Sequence, residues 1–145
     1  MASIFPPHGP RDDERWKSNS RDEREYSLFC LEFCSAILDC RPEQFEALEM
    51  AANHFTQLGY YADGLGLDER LARLRPDDSG VLYNIACSFA LVGRGDDALL
   101  ALSRAVKNGY HNHRHMEKDE DLASLREDDR FKQLLQLMRD RSKTG

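Results

Sequence analysis

The sequence contains no apolar run of 18 or more residues, so it offers no segment able to cross a bilayer as a helix. Its first residues, MASIFPPHGPRDDER, lack the continuous apolar core of a secretory signal. An excess of positive charge is also missing, since 26 acidic against 20 basic side chains leave a net charge of -6. A chain of this sign lacks the basic footprint that binds phosphate backbones, and it is repelled by anionic membrane surfaces. The expected partners therefore include neither nucleic acid nor membrane. The four cysteines, Cys30, Cys34, Cys40 and Cys87, form no C-x-x-C pair. Without an export signal they read as buried, reduced thiols in a cytoplasmic protein.

Catalytic apparatus is equally scarce. Gly64-Leu65-Gly66 and Gly93-Arg94-Gly95 follow no strand, so the context of a phosphate-cradling loop is absent. Ser88 and Ser103 have no histidine at a plausible spacing. No enzyme activity and no cofactor are expected.

What is present is helical periodicity. Residues 1–21 carry Pro6, Pro7, Gly9, Pro10, dense mixed charge and a lone Trp16, which reads as a flexible arm. The remaining 22–145 read as a single all-α domain. In residues 21–41, Tyr26, Phe29, Cys30, Phe33, Cys34 and Ile37 recur at spacings of three and four, while Leu28, Leu31 and Leu38 widen the stripe beyond one face. A helix this apolar is expected to be sandwiched, or to pair with another chain. Pro42 ends it, because its ring disfavours helical geometry in the residue before.

A period then organises the middle of the chain. A shift of 34 residues takes Pro42 to Pro76, Leu48 to Leu82, Ala52 to Ala86, Phe55 to Phe89, Gly59 to Gly93 and Leu65 to Leu99. Each copy reads as two amphipathic helices around a glycine turn. Small residues at Ala52, Ala86, Ala98 and Ala105 allow close approach of helix axes, and a hairpin that cannot bury both faces alone is completed by a neighbour.

On these residues the chain resembles the tetratricopeptide repeat (TPR) family, with Leu82, Ile85, Ala86, Phe89, Gly93, Ala98, Leu102 and Ala105 in the places of its pattern. Two positions depart from it. Asp68 lies where a bulky apolar residue is usual, and Tyr110 replaces a closing proline. The resemblance implies a short right-handed superhelix of antiparallel hairpins. A capping half repeat would fall at 22–41, full repeats at 42–78 and 79–112, and a C-terminal cap at 113–145. It also implies a non-catalytic adaptor that binds a peptide segment in a concave groove, lined by Glu49, Met50, Asn53, Tyr83, Asn84, Cys87 and Leu91. Asn53 and Asn84 match the asparagines of family members that clamp a C-terminal carboxylate, and Arg114 and Lys118 fall near two of the basic places. Glu49, however, stands where such a clamp needs a lysine, and a carboxylate there repels its ligand.

Two further readings belong to other classes. The apolar helix over 26–38 suits a self-associating structural protein, and hence a homodimer. His111, His113 and His115 form an H-x-H-x-H cluster whose imidazoles are of the type zinc accepts.

Overall fold

A computed structural model describes residues 20–144. The expected arm, with Trp16, lies almost wholly outside the described residues. The chain is all-α, with no strand among the described residues. Among the described residues seven α-helices follow in order: α1 (Arg21–Cys40), α2 (Phe45–Gln57), α3 (Tyr61–Leu74), α4 (Ser79–Leu91), α5 (Gly95–Lys107), α6 (His113–Lys118) and α7 (Asp129–Thr144). A 3-10 helix, Glu120–Leu125, sits between α6 and α7. The chain divides into two compact units, Met1–Leu74 and Arg75–Gly145, where the sequence reads as one domain.

In the first unit, α1 begins with a capping box. The Glu23 amide donates to Ser20 Oγ at 3.1 Å, and the Ser20 amide donates to Glu23 Oε2 at 2.6 Å. The helix stops at Cys40, two residues before Pro42. Gln44 then caps α2 through the Ala47 amide at 2.7 Å. Gly59, at φ 86°, turns the chain into α3. Gly64 lets α3 approach α2 closely, since a Cβ there would lie 2.9 Å from Thr56 Oγ1 and 3.4 Å from the Ala52 carbonyl oxygen. Leu31 and Cys34 of α1, Leu48, Ala51 and Phe55 of α2, and Leu71 of α3 form the buried centre.

The expected sandwiching of α1 is half realised. One side packs on α2, but Tyr26 and Phe29 are each 64% exposed and Phe33 is 56% exposed.

In the second unit, Asp78 caps α4 through the Val81 amide at 3.1 Å. Gly93, at φ 84°, makes the turn into α5. Leu82, Ala86, Ala98, Leu102 and Ala105 are buried where the two helices meet. Met116 of α6, Leu122 and Leu125 of the 3-10 helix, and Phe131, Leu135 and Met138 of α7 complete this core.

The 34-residue period is visible as repeated local chemistry inside each unit. The Tyr60 amide donates to the Phe55 carbonyl and the Arg94 amide to the Phe89 carbonyl, both at 2.8 Å. Arg70 donates to the Pro42 carbonyl, and Arg104 donates to the Pro76 carbonyl at 3.4 Å. Each arginine ties the second helix of a hairpin to the loop that precedes its first.

Candidate functional site

In the second unit the polar side chains converge on one carboxylate. Tyr83, one helical turn before Cys87 on α4, points its hydroxyl at Asp119, between α6 and the 3-10 helix. The phenol donates to Asp119 Oδ2 at 2.7 Å, and the Cys87 thiol lies 3.8 Å from the same oxygen. His115 Nε2 approaches it to 3.3 Å from α6. The other oxygen, Oδ1, accepts the Asp121 amide at 3.0 Å and so caps the 3-10 helix. Tyr110 stacks flat on Tyr83, with ring centres 4.3 Å apart and planes 6° from parallel.

Electrostatics keep the Tyr83 phenol and the Cys87 thiol protonated. Burial, then the neighbouring Cys87 and Asp119, push the Tyr83 phenol well above its usual range. Burial, followed by Asp119 and Asp121, pushes the Cys87 thiol up as well. A thiol held as S–H is a poor nucleophile and a poor metal ligand. Cys87, Asp119 and Asp121 could reach a common ion, since their ligand atoms lie within 4.8 Å of one another. The Asp119 oxygen, however, already serves as acceptor for its neighbours. The arrangement works as a polar joint that fastens α4 to the segment after α6.

This joint corrects the expected groove. Tyr83 and Cys87 are buried, 5% and 7% exposed, because Tyr110 and Asp119 cover the face of α4 that the sequence reading leaves open. Asn84 and Leu91 are half-buried. Glu49 is half-buried, and Met50 and Asn53 are exposed, on α2 of the first unit. The three histidines do not gather either. His111 is exposed, with Nδ1 3.2 Å from the Gly109 carbonyl. His113 opens α6, and His115 turns to Asp119. Among the described residues the only grouping of three potential ligands is the cysteine and two aspartates, so an H-x-H-x-H metal site is not assembled.

The sequence reading missed a serine–histidine pair. Ser27 Oγ and His54 Nδ1 lie 3.0 Å apart between α1 and α2, with Gln57 Oε1 at 3.5 Å from the same hydroxyl. Burial lowers the His54 pKa, with Gln57 opposing it. Ser27 is 3% exposed in the body of α1, where backbone amides are committed to the helix. The α1 amides around it are tied up in the helix and do not form an oxyanion hole. A separation of 27 residues on two helices carries no sequence signature.

The exposed chemistry lies on α1. Tyr26, Phe29, Phe33, Ala36 and Cys40 follow one another at alternating steps of three and four, and none is buried. Near its C-terminal end the row opens on a shallow depression of about 480 Å³, lined by Phe33, Ala36, Ile37, Cys40, Arg41 and Gln44.

Residues 73–145 match the family model described as A/B hydrolase-like, N-terminal domain. The match coincides with the second unit to within two residues. A curated relative is a chloroplastic protein of Arabidopsis thaliana, 31% identical over 84 residues that cover 56% of this chain. The aligned stretch spans 25% of that protein's length. Neither description is of tetratricopeptide repeats, so the resemblance to the TPR family is overturned. The period describes local hairpin chemistry, which any pair of helices closed by a glycine turn can share.

Proposed function

The chain belongs to the A/B hydrolase-like, N-terminal domain family, and we propose that it acts as a non-catalytic protein-interaction module that docks a partner on the open face of α1. One observation carries the reading: Tyr26, Phe29 and Phe33 lie in one row on that helix, each more than half exposed. Monomeric proteins rarely leave large aromatics together in water, and such patches mark interaction sites. The part-buried Ser27–His54 pair and the Tyr83–Cys87–Asp119 joint favour a structural over a catalytic use of the remaining polar residues. No described helix is long and apolar enough to cross a membrane. All four cysteines are free thiols, which suits a reducing compartment such as the cytoplasm.

The test compares affinity purification of the full chain with that of a Phe29→Glu/Phe33→Glu double variant, read by quantitative mass spectrometry. Both side chains are exposed, so the variant keeps its fold. A stoichiometric partner recovered with the native chain and lost with the variant is the expected outcome. Identical recoveries would remove α1 as the docking face.

A further inference from the structure

The row on α1 has the spacing of a heptad seam. Tyr26, Phe29, Phe33, Ala36 and Cys40 occupy alternating a and d places, and together they span about 21 Å of helix. The seam is asymmetric. On one side it borders α2, where Tyr26 meets His54 edge-on with ring centres 5.9 Å apart. On the other it is edged by Glu25, Glu32 and Asp39, seven residues apart and all exposed. Arg21 reaches Glu25 at 2.8 Å, but this pair is solvent-exposed and weak. The rest of the edge is acidic along the full length of the seam.

We propose that the occupant of this seam is an amphipathic helix of another protein, with an apolar heptad stripe flanked by lysine or arginine. The proposal rests on the interaction reading above and adds the chemistry of the partner. In a helix pair, the residues beside the seam select the partner through charge. A second copy of this chain fails that criterion. Antiparallel α1 helices would set Glu25, Glu32 and Asp39 of one against those of the other. Parallel ones would set them against Cys30 and Ile37, which turn towards α2. A basic helix supplies one cation opposite each carboxylate, in the seven-residue register the acidic edge already has. An anionic lipid surface is repelled by the same edge.

The experiment measures fluorescence anisotropy of two labelled 21-residue peptides against the full chain. Both carry leucine at a and d, one with lysine and the other with glutamate at the flanking e and g positions. The lysine peptide is expected to bind about tenfold tighter or better than the glutamate peptide. Phe33→Glu should abolish its binding while leaving the circular dichroism spectrum intact. Exchange of Glu25, Glu32 and Asp39 to lysine should reverse the order of the two peptides. The same charge change at Glu120, Glu127 and Asp140, exposed in the second unit, should leave the order as it is.

Equal binding of both peptides, still lost with Phe33→Glu, would overturn the basic partner while leaving the docking face in place. A reversal produced equally by the second triple variant would show net charge alone at work and would also overturn it. So would Phe33-dependent dimers in sedimentation equilibrium, or Phe33-dependent binding to phosphatidylcholine vesicles. If only a chain beginning at Ser20 binds, the protein's own first 19 residues are the occupant and the proposal is wrong. Failure of the interaction reading itself has a separate signature, the unchanged partner recovery described above.

Discussion

The Tyr83 hydroxyl donates to Asp119 at 2.7 Å, closing a link between α4 and a segment 36 residues later in the chain. Hydrogen bonds to a charged acceptor contribute about 1.5–3 kcal/mol. Tyr83→Phe is therefore expected to lower unfolding stability by about that amount in urea titration. Asp119→Asn on its own should also destabilise, and the double variant should cost less than the sum of the two. Strictly additive losses would mean the two groups do not interact in solution.

Cysteine reactivity separates the four thiols. Cys40 is exposed, whereas Cys30, Cys34 and Cys87 are buried. Burial and the neighbouring carboxylates raise the Cys87 pKa, and burial, with Cys30 adding to it, raises that of Cys34. Iodoacetamide at pH 8 should label Cys40 within minutes and the other three only after unfolding. Peptide mapping by mass spectrometry reads the result, and early labelling of Cys87 would contradict the closed joint.

Two glycines of α3 should answer alanine with opposite signs. At Gly66 a Cβ meets nothing within 4 Å, so Gly66→Ala should stabilise by about 0.5–1 kcal/mol through helix propensity. At Gly64 the Cβ would press on Thr56 Oγ1, which itself donates to the Ala52 carbonyl at 3.1 Å. Gly64→Ala should destabilise by about 1–3 kcal/mol, and adding Thr56→Ala should recover part of that loss. Thermal melts of the three variants check both signs.

The Ser27–His54 pair predicts a pH dependence. Burial lowers the His54 pKa in the folded chain, so above pH 6.5 the ring is neutral in both folded and unfolded states. As pH falls through 6.5 the unfolded chain takes up the proton first, and stability drops until the folded pKa is passed. Urea midpoints between pH 7.5 and 5.5 should fall for the native chain, with a smaller fall in a His54→Gln variant. Equal slopes would show that His54 carries none of the dependence.

Much of the fold was legible in the sequence because its signals are local. Pro42, Gly59 and Gly93 act within a turn of their own positions, and each punctuates a helix where expected. The site was less legible because it depends on what covers α4. Nothing near Tyr83 announces that Asp119 will accept its hydrogen bond, and an open groove and a closed joint share the same helical pattern. The opposite error occurred on α1. Its excess of apolar residues was visible, but which of them would remain in water depended on where α2 came to lie. The family assignment failed for a related reason: a 34-residue spacing records hairpin geometry, and geometry of that kind does not identify ancestry.

The row of aromatics on α1 has one last consequence. Because Phe29 and Phe33 touch little of the protein's own interior, exchanging them for polar residues should leave a melting curve almost where it was. A screen that ranks variants by folding alone would score these positions as tolerant, and a screen that ranks them by growth would not. A gap between the two rankings, confined to one edge of one helix, would outline the footprint of whatever the protein holds.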